Sequence, residues 1–148
     1  MNSHKSLKLR AEDAEDIGVI AAVMQDAIAP VTDMLFQPEA QNFIMVVHRF
    51  RWDECIDVTT SQPKQDCFER IACALDIRGV QAVQRHNIDQ ANPNLMLDLL
   101  TLELAGDELQ VIFAGDARLK LRLTKGWQLH LKDFGDPWPT RNAPCHSQ

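Results

Sequence analysis

Residues 100–134 read LTLELAGDELQVIFAGDARLKLRLTKGWQLHLKDF, and this stretch decides the fold. Apolar residues occupy alternate positions in three consecutive runs, which is the period of a β-strand with one buried face. The pairs Gly106-Asp107 and Gly115-Asp116 separate the runs and are typical of hairpin turns. The pattern predicts a three-stranded antiparallel meander. Its alternating residues are Leu100, Leu102 and Leu104, then Leu109, Val111 and Phe113, then Leu119, Leu121 and Leu123.

The apolar residues that follow the third run have the spacing of one helix face. Thr124 can cap such a helix, Gly135 stands at the position after its end, and Pro137 prevents its continuation. The sequence therefore predicts a short C-terminal helix packed on the meander. The residues of its apolar face are Trp127, Leu131 and Phe134.

A second helix is predicted near the N-terminus, after a short strand at 7–10. Asp13 is a good N-cap, and Asp16 lies where a carboxylate meets the positive end of the helix dipole. Pro30 is expected to end this helix. Its apolar stripe consists of Ile17, Ile20, Ala21 and Met24, followed by Ala27 or Ile28.

Between the N-terminal helix and the meander, four strand-like runs follow one another, and Arg78-Gly79 is interpreted as the turn between the last two. The total is about seven strands. The predicted fold class is α+β, with an antiparallel, curved sheet or partial barrel and one helix near each end. Seven strands and a terminal helix are also the count of pleckstrin-homology-like barrels, although many α+β folds share it. The four runs are 31–36, 43–50, 71–77 and 80–88.

Length and composition fit a single domain over 1–148, with a mobile loop at 53–66 and an irregular tail at 139–148. The apolar runs are too short to span a membrane, and the N-terminus lacks the apolar segment of a signal peptide. We therefore expect a cytoplasmic protein that does not associate with membranes.

The net charge of −6 is unevenly distributed. Residues 11–39 contain seven acidic residues and no Lys or Arg, whereas residues 115–133 contain five bases and two acids. Because phosphate binding draws on a positive field, the overall acidity argues against a nucleic-acid partner. Lys120 and Arg122 alternate with the leucines of the third run, so their side chains should leave the sheet on its outer face. These two cations are candidates for binding an acidic partner, or the acidic segment of the same chain or of a second copy.

The segment around Arg49 and Arg51 offers another candidate surface. On a strand these two arginines share one face, and together they can hold a carboxylate or phosphate. His48, Phe50 and Trp52 then share the opposite face of the strand. Trp52 is a further candidate binding residue of this segment. Under the alternative interpretation both arginines point to solvent or pair with the acidic first helix, while Phe50 and Trp52 fill the core.

No catalytic, nucleotide-binding or metal-ligand motif is present, so we expect no cofactor and no metal site. A non-enzymatic binding module is the leading hypothesis. Its partner would be a protein or a small anionic ligand, and a homodimer is left open. The alternative is a small enzyme whose pocket is built from dispersed polar residues, with His48, Arg49 and His86 as candidates.

Short sequence pieces along nearly the whole chain carry a resemblance. Taken in their order along the chain, these pieces resemble a family of bacterial proteins of about this length that is known only as a domain of unknown function. The resemblance implies a complete domain with nothing fused to it, and it implies no activity or ligand. The pieces are Leu7-Lys8-Leu9, Ala11-Glu12-Asp13-Ala14-Glu15-Asp16, Gln25-Asp26-Ala27, Arg49-Phe50-Arg51-Trp52, Phe113-Ala114-Gly115, Asp133-Phe134-Gly135, Pro137-Trp138, Thr140-Arg141, and Pro144 with His146.

Overall fold

The computed structural model describes the backbone of residues 6–50, 56–57, 62–63 and 69–139, and the side chains within 6–50 and 70–134. The elements in chain order are β1 (Lys8–Ala11), α1 (Ala14–Met24), β2 (Ile28–Pro30), a 3-10 turn (Val31–Asp33), β3 (Met34–Gln37), β4 (Asn42–Phe50), β5 (Ile56–Asp57), β6 (Gln62–Pro63), β7 (Glu69–His86), β8 (Met96–Ala105), β9 (Glu108–Phe113) and β10 (Ala117–Pro139).

Six antiparallel strands form a closed barrel in the order β10, β7, β4, β2, β8 and β9, and β9 then pairs with β10. Two further strands extend this sheet, because β1 pairs with β10 and β3 pairs with β4. The short strands β5 and β6 pair with each other. The predicted antiparallel curved sheet is confirmed in outline, and its edges meet to close a barrel.

Strand β10 closes the barrel because it is long enough to change partners along one edge. Its first half pairs with β9, and its second half pairs with β1. Its other edge pairs with β7 along both halves. Helix α1 packs mainly against β8 and β1, so it covers the side where β10 passes from one partner to the other. The residues that α1 buries are Ile17, Ile20, Ala21 and Met24.

The N-terminal start of α1 is as predicted, and its end is not. The backbone N–H of Asp16 donates to Asp13 Oδ1 at 2.8 Å, which is the expected N-cap bond. The helix ends at Met24 rather than near Pro30. Asp26 adopts φ 68°, and its N–H donates to the Leu99 carbonyl at 2.9 Å, so the chain is already turning into β2. Likewise, the predicted strand at 31–36 begins only at Met34.

The predicted meander is confirmed as β8, β9 and β10, with its alternating residues buried at nearly every position. Leu104 is half-buried, and Leu100 is 44% exposed whereas Leu99 is fully buried. The register of β8 against β9 shifts between Leu99 and Thr101, so one extra residue reverses the inward face at this point. The sequence-based assignment of Leu100 to the core is therefore wrong.

The predicted C-terminal helix is also wrong, because the segment continues as β10. Leu129 and Leu131 are fully buried and lie opposite Ile77 and Leu75 of β7. Residues 124–127 form a four-residue bulge in β10. The residues on either side of it, Leu123 and Gln128, pair with Val80 and Arg78 of β7, and only Gly79 lies between those two. This bulge interrupts the alternation of apolar residues, and the interruption imitates a helical spacing. The described residues contain no helix after the barrel, so the pleckstrin-homology-like arrangement loses its terminal helix.

Gly79 does not form the predicted turn between two strands. It lies within the continuous strand β7 at φ +85°, a left-handed conformation that glycine adopts readily. A Cβ atom at this position would lie 2.9 Å from the Trp127 Cα of the bulge. The backbone N–H groups of Gly79 and Val80 both donate to the Gln41 carbonyl at 2.8 Å. The glycine therefore lets β7 bend beneath the bulge while its backbone stays hydrogen-bonded.

Several predictions fall on residues that the structure does not describe. Arg51, Trp52 and the tail beyond Pro139 lie outside the described residues, as does the predicted loop at 53–66 apart from β5 and β6. Among the described helices, none is long and apolar enough to cross a membrane.

Candidate functional site

Three cations occupy successive outward positions on the first half of β10, and we call Arg118, Lys120 and Arg122 the cation strip. They point outward because the leucines between and after them point inward and are almost completely buried. In the strand register, Arg118 lies between His86 and Ile112, Lys120 between Gln84 and Gln110, and Arg122 between Ala82 and Glu108. The strip is thus the middle row of a three-stranded surface.

The cations of the strip differ in how they are engaged. The Nη1 of Arg118 donates to Gln110 Oε1 at 3.1 Å, and its Nη2 lies 3.6 Å from Asp116 Oδ1. The ion pairs among the described residues involve neither Lys120 nor Arg122. The two cations that the sequence singled out are therefore the ones whose charge the folded chain leaves available.

Two hollows adjoin these cations, and both include Gln84 and Lys120. The first, which we call the mixed hollow, has a volume of about 140 Å³ and contains both cations and carboxylates. Its lining is Ala82, Gln84, Asp107, Glu108, Lys120 and Arg122. The second, the basic hollow, measures about 290 Å³ and is lined by Gln84, Arg85, His86 and Lys120. Both are smaller than the roughly 300–1,000 Å³ typical of small-molecule sites, so each suits a single side chain or a small anion.

Arg49 lies in a different environment from the one its sequence pattern predicted. It is on the inward face of β4 and only 5% exposed. Its Nε donates to Asp133 Oδ1 at 3.0 Å, and its Nη2 donates to Asp133 Oδ2 at 2.7 Å. Asp133 Oδ2 also accepts the backbone N–H of Leu7 at 2.9 Å. The alternative in which Arg49 points to solvent or pairs with the first helix is thus wrong, and the guanidinium holds a carboxylate of its own chain.

Cys73 lies opposite Asp133 on β7 and is fully buried. Burial, with the charge of Asp133 adding to its effect, raises the pKa of the Cys73 thiol to about 12. Since the thiolate is the reactive form of cysteine, this thiol is inert at neutral pH. The buried polar cluster at this end of the barrel therefore has the chemistry of a structural contact.

The two histidines considered for catalysis lie near opposite ends of β7. His48 lies opposite Ala72, where Arg70 packs 3.9 Å from the Phe50 ring centroid and donates to the His48 carbonyl at 3.1 Å. Burial lowers the pKa of His48, with Asp33 opposing this shift and Arg70 adding to it. His86 is on the cation-strip surface, with its Nε2 3.8 Å from Asp116 Oδ2. The structure does not bring the two imidazoles into one site.

The structure brings together two of the predicted binding residues, Lys120 and Arg122, and places Arg49 elsewhere. Sequence reasoning missed Gln84, whose position beside Lys120 depends on the register between β7 and β10. It also missed Asp133, although the alternation of Leu129, Leu131 and Asp133 would have placed this carboxylate inside. The carboxylates that line the mixed hollow are Asp107 of the β8–β9 turn and Glu108, the first residue of β9, and the acidic segment 11–39 lines neither hollow.

These features define a small closed antiparallel barrel with an apolar interior and a charged outer face. The described residues contain no group of three or more His, Cys, Asp or Glu side chains that could hold a metal ion. The chain belongs to the family described as protein of unknown function (DUF2948), whose model matches residues 7–146. No curated protein and no solved structure matches the chain. Membership of a family of unknown function confirms the resemblance found in the sequence.

Proposed function

We propose that this protein is a non-enzymatic binding module that captures an anionic partner, either a protein or a small anionic ligand, through the cation strip. The observation that carries the proposal is the pair Lys120 and Arg122. These cations occupy successive outward positions of one strand, form no ion pair within the described residues, and adjoin two hollows. Because the net charge of −6 opposes the approach of anions, capture of an anionic partner depends on this local group of cations.

The scaffold beneath the strip favours binding. Both edges of this half of β10 are hydrogen-bonded, one to β7 and the other to β9, and the inward leucines fix the strand to the core. A surface held in this way loses little conformational freedom when a partner binds, which improves affinity.

The polar groups near the barrel interior support a binding role over a catalytic one. Asp133 is engaged by Arg49 and by the Leu7 N–H, and the high pKa of Cys73 keeps its thiol protonated. None of these groups lines either hollow beside the strip.

We further propose that the module acts in the cytoplasm and that nucleic acid is not its partner. Carboxylates stand at both ends of the strip, with Asp116 beside Arg118 and Glu108 opposite Arg122. A continuous phosphate backbone crossing the strip would meet these charges, and like-charge contacts oppose binding. Arg51 and Trp52 remain proposed as additional contacts, and a homodimer remains open.

Charge reversal of the strip tests the proposal. The variant Lys120→Glu/Arg122→Glu should lose the proteins or anions that the wild-type chain retains from a lysate, because the surface becomes repulsive. The control is Lys8→Glu/Lys132→Glu, which changes the net charge equally at two exposed, neighbouring positions of β1 and β10. Mass spectrometry of the retained material gives the result, and a thermal melt confirms folding. Equal retention by the folded double variant and the wild type would contradict the proposal.

A further inference from the structure

We infer that the cation strip binds a short, extended acidic segment of a partner protein, with acidic side chains at alternate positions. This inference rests on the proposed function and names the chemical class of its partner.

The first argument is the spacing of the available cations. Lys120 and Arg122 are two residues apart on one strand, so about 7 Å separates them along the strand axis, given a rise of about 3.4 Å per residue. An extended segment places alternate side chains on one face with the same repeat. Two carboxylates in the pattern acid–any residue–acid can therefore meet both cations at once, whereas adjacent carboxylates point to opposite faces.

The second argument is the size and charge of the hollows. The basic hollow presents Lys120 and the amide of Gln84, and no carboxylate lines it. These are the donors that a carboxylate accepts from. At about 290 Å³ the hollow can accept an acidic side chain rather than a large ligand. One acid of the segment thus fits beside Lys120, and the other reaches Arg122 along the strip.

The third argument is the short length of the available positive charge. Glu108 lies opposite Arg122 and lines the mixed hollow together with Asp107, and at the other end Arg118 is already engaged by Asp116. A polyanion with regular charges would extend past the available cations onto these carboxylates. A protein segment can carry two acids followed by neutral or basic residues. It therefore matches both the available cations and the carboxylates that lie at the two ends of the cation strip.

Fluorescence anisotropy with labelled peptides tests the inference. One peptide is Thr-Glu-Thr-Glu-Thr, and its matched partner, Thr-Thr-Glu-Glu-Thr, has the same composition with adjacent acids. The alternating peptide should bind about two- to fivefold more tightly, which is the gain from one additional exposed ion pair. Lys120→Gln/Arg122→Gln should remove this difference, and the control Lys8→Gln/Lys132→Gln should keep it. Raising the ionic strength should weaken binding, because exposed charges are screened.

Four results would overturn the inference. Equal binding of the two peptides would remove the argument from spacing. Binding of inorganic phosphate through the strip, with no peptide binding, would overturn the peptide as partner and leave the proposed function standing, whereas binding of an oligo-dT strand would also contradict the proposed exclusion of nucleic acid. Self-association that Lys120→Gln/Arg122→Gln abolishes, again without peptide binding, would make a second copy the occupant. If no anionic probe binds, the proposed function fails together with the inference.

Discussion

The Arg49–Asp133 ion pair is the most deeply buried charged contact among the described residues, with side-chain exposures of 6% and 0%. Removing two charges from water costs several kcal/mol per ion, and only good geometry offsets this cost. Here two parallel hydrogen bonds join the pair, and the Leu7 N–H adds a third to the same carboxylate. The pair consequently ties β4, β10 and the chain entering β1 together.

Replacing one partner of this pair should leave a buried charge uncompensated. We expect Asp133→Asn to lower the free energy of unfolding by about 3 kcal/mol, measured by urea denaturation. Asp116→Asn is the matched control, since Asp116 is largely exposed beside Arg118, and it should cost less than about 1 kcal/mol. The double variant Arg49→Met/Asp133→Leu should recover most of the loss, because neither charge is then buried. Equal costs for the two Asp→Asn variants would contradict this account.

The sequence could not predict the inward orientation of Arg49. Its alternation with His48 and Phe50 is the same whether the arginine faces solvent or a buried carboxylate. The deciding information is Asp133, which lies 84 positions along the chain in a segment whose spacing imitated a helix. Lys120 and Arg122 were predictable for the opposite reason, because adjacent leucines define their face without any distant residue.

At the scale of the elements, the paired distortion of β7 and β10 is the feature most dependent on one residue. We expect Gly79→Ala to cost about 1–2 kcal/mol for its left-handed φ, plus about 1–3 kcal/mol because its Cβ would meet the Trp127 backbone at 2.9 Å. Gly106→Ala is the matched control, since Gly106 has φ +64° and a Cβ atom added there would meet no atom beyond its chain neighbours within 4 Å. It should show only the first cost, about 1–2 kcal/mol. Urea denaturation of both variants measures the difference, and equal costs would show that the close approach contributes nothing.

The strands with uninterrupted alternation were predictable, and those with bulges were not. β4 and β9 follow the sequence pattern, because every second residue is inward along their whole length. In β8 and β10, a bulge shifts the pattern partway along the strand. A bulge is fixed by the partner strand as much as by local residues, so local periodicity assigned Leu100 to the core and residues 124–134 to a helix.

At the scale of the whole molecule, closure of the barrel determines both the core and the candidate site. Buried apolar residues from all six barrel strands form one cluster that also includes residues of α1. The pairing of β7 with β10 brings Gln84 beside Lys120, and the closing pairing with β9 brings Gln110 to its other side. From the sequence one could predict the cations of the site, whereas the hollows beside them exist only once β7, β9 and β10 are in register.

Because the barrel is closed, the thiol of Cys73 should be reached only when the whole domain opens. In a variant with Cys55, Cys67 and Cys145 replaced by Ser, we expect iodoacetamide at pH 8 to label Cys73 far more slowly than it labels the unfolded chain. With its pKa raised to about 12, only about one thiol in ten thousand is ionised at that pH, against about one in ten for an unfolded cysteine of pKa 9.0.

The same pKa shift gives the sign of a pH dependence. Between pH 9 and pH 12 the unfolded chain has lost the Cys73 proton and the folded chain retains it, so the thiol contributes less stability as the pH rises through this window. Labelling of the triple variant should therefore accelerate with urea in parallel with global unfolding, and more so at pH 10 than at pH 8. Fast labelling without urea, at the rate of a free thiol, would mean that the barrel opens locally at β7, because Cys73 lies on that strand and has no exposed surface in the closed state.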